Sequence, residues 1–399
     1  MFHRRFILST MIAGQIALFA PWTSAQQPAG RNEPELKQFE EKRTAEYAAQ
    51  LEAFLRDYLV DQYPKRAAGS WKRDYRSVEA FLKSVEPNRA GWRKVIKPPE
   101  LLKTGPAKRA PHPPLAELKA EWITVPLGGA GRISNPSYML AAEGIFVVPG
   151  AATAQRRVPL VIVQHGIGSF PERNFGLMDD GDAYHSYARE LVKNGFAVLT
   201  PLNLRSVERR NRMERLCRLA DMSLPGIELV RVQRLLDEAL EDPRIDRGRV
   251  GMWGLSLGGM ATMFWTPLEP RIKAAVVAGW FNHRRDKMVI PDPRYSCFLE
   301  TKEEHAFFDG WLTAFSDSDV ASLICPRPLM IQTGKKDGIA WWPLVTEEFE
   351  AAKEHYRRLG IADRIELDLR DGGHETHVAS GLRFLTTWLK EKPIEYPPH

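Results

Sequence analysis

Residues 251–259, with the sequence GMWGLSLGG, decide the fold of this chain. They place Ser256 between two glycines at G-x-S-x-G spacing, directly after an apolar run. A serine in this pattern sits on a sharp, strained turn between a strand and a helix, where side chains two residues to either side would collide with the backbone. Gly254 and Gly258 remove those collisions. The segment therefore predicts a strand, a turn that exposes Ser256, and a helix.

The residues on both sides of this segment support the same prediction. The strand-like run follows a loop at 243–246, and apolar side chains continue after the serine at helical spacing over 260–264. The motif alone also arises by chance in glycine-rich turns, so its partners must be found elsewhere in the chain. A serine becomes a nucleophile only beside a base that takes its proton, and that base needs a carboxylate to orient it.

Apolar strand-like runs alternate with helical patterns through most of the chain. The run at 159–163 is continuously apolar, as is typical of a strand buried in a parallel sheet. Such alternation predicts an α/β fold, with a mostly parallel sheet covered on both faces by helices. The expected strands lie at 122–127, 138–148, 159–163, 196–200, 250–255, 273–277, 328–332 and 365–369.

The opening residues have the pattern of an export signal. Arg4 and Arg5 precede an apolar run at 6–20, and small residues follow at 23–25. We expect residues 1–25 to be a signal peptide that is removed as the protein reaches the periplasm or the exterior. A membrane anchor is the alternative, but the run falls short of the ~20 apolar residues that span a bilayer. The paired arginines leave the general secretory and twin-arginine routes both open.

Residues 26–115 are expected to form a helical extension and linker. Apolar side chains at helical spacing predict one helix from Glu33 to about Gln62 and a second near 78–85, before a proline-rich, basic stretch at 97–114. Each helix has a single apolar stripe, so we expect both to pack on a larger body, either covering it or gating access. Residues 116–392 would form that body, with a long insertion at 282–322.

Composition narrows the class of protein. The 399 residues are 44% hydrophobic and 27% charged, which is ordinary for a globular chain. The net charge of +6 is thinly spread and lacks the clustering of a nucleic-acid binder. Three cysteines cannot build a disulfide scaffold, and the spacing of His374 and His377 is too short for a zinc-protease motif. We therefore expect no metal, no cofactor and no nucleic-acid partner.

Candidates for the acid and the base follow two later strands. Asp337 comes after the strand at 328–332, and His374 after the strand at 365–369. Because functional groups gather at the carboxyl ends of parallel strands, we expect both near Ser256, in the chain order of α/β-hydrolases. Asp371 is a rival acid, but it shares a turn with the histidine. His377 is a rival base, expected instead at the start of the last helix.

The oxyanion of an acyl-transfer intermediate needs preorganised N–H donors. Leu257, directly after the serine, should supply one donor. The loop after the first buried strand, His165-Gly166-Ile167-Gly168, should supply the other, because its glycines let the backbone approach a substrate. We expect Ile167 in that role, with Gly168 as the second choice, and His165 as a residue that shapes the loop.

The segments VIVQHGIG, DPRIDRGRVGMWGLSLGG, PRIKAAVVAGW, ICPRPLMIQTGKKDG and DGGHETH resemble exported bacterial α/β-hydrolases of the dienelactone hydrolase and acetyl xylan esterase group. The resemblance covers about residues 120–390. It implies an α/β-hydrolase fold with Ser256 as nucleophile, Asp337 as acid and His374 as base. Dienelactone hydrolases themselves use a cysteine nucleophile, and the G-C-S-R-x-G segment of glucuronoyl esterases is not present in this sequence. The resemblance therefore says little about the substrate.

Aromatic residues are the candidates for substrate contacts. Trp341 and Trp342 follow Asp337 closely and are expected at the entrance, where indole rings stack on sugars or apolar acyl groups. The insertion at 282–322 carries six further aromatic side chains, which could overhang the site or simply pack in the core. Leu255 and Leu257 crowd the serine, which favours a small acyl group such as acetyl.

The sequence leaves three functional hypotheses. The first is a serine carboxylic ester hydrolase that works through an acyl-enzyme on small-molecule or carbohydrate esters. The second is a peptidase of the prolyl-oligopeptidase type, although the helical extension is too short for the β-propeller of those enzymes. The third is a binding protein that keeps the fold without catalysis. The oligomeric state is not predicted.

Overall fold

The structure is a computed structural model that describes residues 33–129, 140–178 and 183–394. The chain divides into two units, Met1–Phe54 and Leu55–His399. The described part of the first unit belongs to helix α1, Glu33–Arg56, none of whose side chains is buried. The expected signal peptide lies outside the described residues. None of the helices in the described ranges contains an uncharged apolar stretch that could span a lipid bilayer.

The second unit is built on one mixed sheet. Its order is β1-β3-β4-β6-β5-β7-β8-β9-β10, with β2 paired to β3. The six strands from β6 to β10 in this order pair in parallel. The remaining pairs, β1–β3, β2–β3, β3–β4 and β4–β6, are antiparallel. The strands are β1 (Leu101–Lys103), β2 (Lys108–Pro111), β3 (Glu121–Gly129), β4 (Leu140–Val147), β5 (Val158–Gln164), β6 (Ala197–Pro201), β7 (Ile245–Leu255), β8 (Ile272–Ala278), β9 (Leu329–Gly334) and β10 (Ile365–Arg370).

The predicted mostly parallel sheet is therefore confirmed. Each of the eight expected strands coincides with one of β3 to β10. Strands β1 and β2 were not expected, because they are short and lie in the proline-rich stretch that reads as a linker. They extend the antiparallel edge of the sheet.

Helices cover both faces of the sheet. Side chains along a strand point alternately to opposite faces, so neighbouring residues of β5 and β7 join different cores. Ile162 and Met252 belong to one core, and Val163 and Trp253 belong to the other. The other helices are α2 (Tyr63–Ser70), α3 (Val78–Ile96), α4 (Tyr187–Lys193), α5 (Val207–Leu219), α6 (Leu224–Leu240), α7 (Leu257–Trp265), α8 (Arg284–Val289), α9 (Trp311–Ala314), α10 (Asp317–Ile324), α11 (Trp342–Arg358) and α12 (Val378–Thr386).

Helix α3 belongs to the larger of the two cores. The side chain of Ser77 caps its first turn by accepting a hydrogen bond from the Ala80 N–H. Trp92 is fully buried, and its indole N–H donates to the carbonyl oxygen of Phe264 at 3.0 Å. This helix therefore packs on the body of the protein, as its apolar stripe indicated. The boundaries proposed at residues 25, 115 and 392 stay predictions.

The parallel strands all end at one edge of the sheet. The segments that follow β5, β7, β8, β9 and β10 begin at residues 165, 256, 279, 335 and 371. This common edge carries every group that the sequence singled out as a nucleophile, an acid, a base or an oxyanion donor.

One glycine in α12 offers a test of this packing. A Cβ at Gly381 would lie 2.3 Å from the ring of Trp253, which is fully buried and cannot move aside. We expect Gly381→Ala to lower the free energy of unfolding by about 1–3 kcal/mol, the usual range for overpacking. Chemical denaturation followed by tryptophan fluorescence would measure the change.

Gly69 provides the matched control, since it is also helical and a Cβ there meets nothing within 4 Å. Gly69→Ala should leave stability unchanged or raise it slightly, because alanine favours a helix. Equal stabilities of the two variants would contradict the packing of α12 on Trp253.

Candidate active site

Ser256 occupies the strained turn between β7 and α7. Its backbone φ is +61° and its ψ is −119°, a conformation that non-glycine residues rarely adopt. Its N–H donates to the carbonyl oxygen of Ala278 at 2.8 Å, which ties the turn to the end of β8. This is the strand-to-helix turn that the sequence predicted, and it lies at the carboxyl edge of the sheet.

The two flanking glycines are required by close backbone contacts. A Cβ at Gly254 would lie 2.2 Å from the carbonyl oxygen of Gly258. A Cβ at Gly258 would lie 2.0 Å from the carbonyl oxygen of Gln164, the last residue of β5. No real Cβ tolerates such distances, so the turn can form only with glycine at both positions.

Asp337 and His374 are joined by a hydrogen bond. The Nδ1 of His374 lies 2.8 Å from Oδ2 of Asp337, and the second carboxylate oxygen accepts from the Ile339 N–H at 3.0 Å. A carboxylate can only accept, so Nδ1 is the donor, and Nε2 of the neutral ring is left as an acceptor. The Asp337 side chain is 1% exposed, against 32% for His374. A buried acid thus orients a half-buried imidazole.

The loops that carry these two residues hold each other in place. The N–H groups of Lys335 and Lys336 donate to the carbonyl oxygens of Arg370 and Gly372, at 2.8 and 2.9 Å. A Cβ at Gly334 would lie 2.2 Å from the carbonyl oxygen of Gly372, so these backbones touch. The distance between acid and histidine is therefore set by backbone contacts as well as by their own hydrogen bond.

The imidazole of His374 lies against the residues next to the serine. A Cβ at Gly279, where φ is +58°, would be 2.8 Å from Cε1 of His374 and 3.1 Å from Cδ1 of Leu255. Ser256 and His374 line the same cavity. The structure thus brings Ser256, Asp337 and His374 together from three strand ends.

The rival acid and the rival base lie in separate ion pairs. Asp371 is 77% exposed and pairs with Lys335 at 3.3 Å. His377 precedes α12 and places Nδ1 2.7 Å from Asp368. Neither rival lines the cavity. Asp337 and His374 are accordingly the pair that the geometry favours.

The loop after β5 lies against the serine. A Cβ at Gly166 would be 3.2 Å from Cβ of Ser256. The N–H of Ile167 has no hydrogen-bond partner among the described residues, and Leu257, as the first residue of α7, has no acceptor within its helix. Both N–H groups are thus free to meet an oxyanion.

The structure corrects the second choice for an oxyanion donor, because the N–H of Gly168 is not available. Its N–H donates to the carbonyl oxygen of Arg205 at 2.7 Å, so it is already engaged. His165 shapes the loop, as expected. Its Nδ1 bonds to the carbonyl oxygen of Gly166 at 2.9 Å, its Nε2 accepts from the Asn203 N–H at 3.3 Å, and burial lowers its pKa to about 4.

A cavity of about 410 Å³ adjoins the serine. The apolar part of its lining includes Leu255, Leu257, Met260 and Trp280. Trp341 and Trp342 are not among the lining residues. The guanidinium of Arg294 covers the ring of Trp341 at 3.7 Å, and Trp342 opens α11 on the surface, 36% exposed.

The insertion at 282–322 supplies much of the cavity wall. Of its six aromatic side chains, Phe298 lines the cavity, whereas Phe308, Trp311 and Phe315 are buried in the larger core. Polar and charged side chains of the same segment also face the cavity: Lys287, Ser296, Thr301, Glu303 and His305. The sequence analysis missed these residues individually, because the segment has no motif or periodic pattern that would single them out.

The described part of the chain contains neither a cluster of metal ligands nor a disulfide. No three of its histidine, cysteine, aspartate and glutamate side chains lie close enough to hold a metal ion. Cys217, Cys297 and Cys325 are buried and free.

No family model matches the chain. Two proteins of Bacillus subtilis (strain 168) are similar in sequence. The one named "Putative hydrolase YtaP" is 25% identical over 261 residues, which cover 62% of this chain and 84% of that protein. The one named "Putative esterase YitV" is 26% identical over 219 residues, which cover 50% of this chain and 77% of that protein.

Solved structures resemble the chain at lower identity. A "putative acetyl xylan esterase" from Bacteroides fragilis NCTC 9343 matches with a TM-score of 0.56 and 16% identity, covering 75% of this chain and 77% of that one. A glucuronoyl esterase of carbohydrate esterase family 15 from Caldicellulosiruptor kristjansonii matches with a TM-score of 0.55 and 16% identity, covering 81% and 91%. The predicted resemblance to acetyl xylan esterases is thus confirmed at the level of architecture, and the chain has the α/β-hydrolase fold.

Proposed function

We propose that this protein is a serine carboxylic ester hydrolase that acts through an acyl-enzyme. The observation that carries the proposal is the Asp337–His374 hydrogen bond of 2.8 Å at the cavity that Ser256 lines. The names of the Bacillus subtilis relatives and of the acetyl xylan and glucuronoyl esterases support the same chemistry. The substrate would be a short-acyl ester of a small molecule or a carbohydrate.

The reaction proceeds in two halves. Nε2 of His374 takes the Ser256 proton while Oγ attacks the ester carbonyl carbon, and Asp337 stabilises the imidazolium that forms. The N–H groups of Leu257 and Ile167 hold the oxyanion of the tetrahedral intermediate. That intermediate collapses to the acyl-enzyme, and His374 gives its proton to the departing alcohol. A water molecule then repeats the sequence and releases the acid.

The walls next to the serine favour a small acyl group. Leu255 and Leu257 flank the nucleophile, and Met260 and Trp280 line the same cavity of about 410 Å³. Bulky apolar side chains at this point favour a compact acyl group over a long alkyl chain. Export, which rests on residues 1–25, remains a further prediction and would suit an enzyme for extracellular carbohydrate esters.

The prolyl-oligopeptidase type remains the second candidate within hydrolases. Its propeller would have to lie before β1, where the described residues form α1, α2 and α3. The third candidate, a binding protein without activity, predicts no covalent chemistry at Ser256. Labelling of the serine separates it from the other two.

A fluorophosphonate probe tests the nucleophile. Wild-type protein should be labelled and should hydrolyse 4-nitrophenyl acetate faster than a long-chain aryl ester. Ser256→Ala should abolish labelling and lower kcat by a factor of about 1,000 or more, because the acyl-enzyme cannot form. Gel fluorescence and steady-state kinetics measure the two effects. Equal labelling of both proteins would refute the assignment of Ser256.

Two histidines in one loop test the base. His374→Ala should lower kcat for 4-nitrophenyl acetate by about 1,000-fold or more, since it removes the group that accepts the serine proton. His377→Ala is the matched control, because its partner is Asp368 and it does not line the cavity. Its kcat should stay within a few-fold of wild type. The reverse result would assign the base to His377.

A further inference from the structure

Lys287 and Glu303 form a charged pair of cavity-lining side chains outside the proposed catalytic machinery. Lys287 lies on α8 and is 4% exposed. Its ammonium donates to the carbonyl oxygen of Ser296 and, at 2.7 Å, to Ser296 Oγ. Lysine is rarely buried unless it is paired, and Glu303 is only half-buried, so the burial of Lys287 in particular needs a physical reason.

Within the described ranges, neither residue has an ion-pair partner. The Glu303 carboxylate makes no hydrogen bond to any described residue, and no contact within 4.0 Å joins it to Lys287. Burial raises the pKa of Glu303, and the positive charge of Lys287 opposes that rise, so the two charges influence each other. A positive donor and a negative acceptor therefore line one cavity without a bond between them.

His305 lines the same cavity, and its hydrogen bond to Asn211 fixes which ring nitrogen can accept. Nδ1 of His305 lies 3.0 Å from Oδ1 of Asn211, and burial lowers the pKa of this histidine to about 3, so its ring is neutral. Donation from Nδ1 leaves Nε2 as an acceptor. Beside these groups, the rings of Trp280 and Phe298 pack with their centroids 5.9 Å apart and line the cavity.

The chemistry of this wall selects among possible ligands. An anionic group would satisfy Lys287 but would be repelled by Glu303, and a cationic group would have the opposite conflict. A hydroxyl group accepts from the ammonium and donates to the carboxylate, so it satisfies both. If these hydroxyls lie on a sugar ring, the apolar faces of that ring can also pack against Trp280 and Phe298.

We propose that Lys287 and Glu303 recognise the hydroxyl groups of a polyhydroxylated substrate, so that the ester cleaved at Ser256 belongs to a sugar. This inference rests on the proposed function, since it assumes that Ser256 attacks an ester in this cavity. The hydroxyls could lie on either side of the scissile bond, in an acetylated sugar or in an ester of a sugar acid.

The test compares sugar esters with an ester that has no hydroxyls. The substrates are a mono-acetylated methyl xyloside, the methyl ester of a glucuronic acid glycoside, and 4-nitrophenyl acetate. For each protein, kcat/KM on a sugar ester is divided by kcat/KM on the aryl acetate. We expect this ratio to fall about 10- to 100-fold in Lys287→Met and Glu303→Gln, the usual effect of a lost hydrogen bond to a charged group.

Two neighbours in the chain serve as matched controls. Lys302 and Glu304 are exposed and do not line the cavity, and Glu304 pairs with Arg215 on the surface. Lys302→Met and Glu304→Gln should keep the ratio within about two-fold of wild type, because exposed ion pairs contribute little. If Lys287→Met does not fold, Glu303→Gln carries the test, since it changes charge at constant shape in a half-buried position.

Each outcome decides the inference. A selective fall on the acetylated xyloside places the hydroxyls on the alcohol side, and a selective fall on the glucuronate ester places them on the acyl side. If the ratio of kcat/KM values in Lys287→Met and Glu303→Gln changes no more than in the controls, hydroxyl recognition by these two residues is refuted. Wild-type protein that cleaves the aryl acetate but neither sugar ester would also refute the inference. The proposed function as an ester hydrolase would still stand in that case. Absence of both labelling and hydrolysis would reject the proposed function itself.

Discussion

The close approach of three backbone segments at the turn around Ser256 is the constraint on which the rest of the site depends. The carbonyl oxygen of Gln164 lies where a Cβ at Gly258 would have to be, and the backbone of Gly258 lies where one at Gly254 would be. Strand β5, strand β7 and helix α7 therefore meet without side chains between them. At this contact Ser256 adopts its positive φ, where β7 ends at the edge of the sheet.

A similar contact sets the other half of the proposed machinery. The backbones of Gly334 and Gly372 touch, and hydrogen bonds between the two loops hold Asp337 and His374 at a fixed separation. The imidazole then rests on Gly279, which links it to the end of β8. Because each group is placed by main-chain contacts of a rigid sheet, the geometry needs little reorganisation for the proposed proton transfer.

The insertion that lines the cavity is anchored by a buried ion pair. Nη2 of Arg284 lies 2.7 Å from Oδ2 of Asp317, both side chains are at most 1% exposed, and the guanidinium stacks on Trp280 at 4.3 Å. The same carboxylate accepts from the Asn282 N–H at 2.9 Å. This network fixes α8 against α10, and it thereby places Lys287 and the loop that carries Glu303 in the wall of the cavity.

The sequence by itself determined the α/β-hydrolase architecture, the turn at Ser256, and the choice of Asp337 and His374 as its candidate partners. It could do so because these features depend on local patterns: apolar runs, glycines around a serine, and polar residues placed just after strands. Only the tertiary structure decided which candidates are engaged elsewhere. Gly168 is committed to Arg205, and Trp341 lies under Arg294.

The same limit applies to Lys287 and Glu303, which lie 16 residues apart in a segment without a regular pattern. Their joint exposure to one cavity depends on the Arg284–Asp317 anchor and on the packing of aromatic side chains around it. Contacts of this kind are made between residues far apart in the chain, and no local pattern encodes them. The proposed chemistry at Ser256 was therefore readable from the sequence, whereas the wall proposed to select its substrate emerged only from the fold.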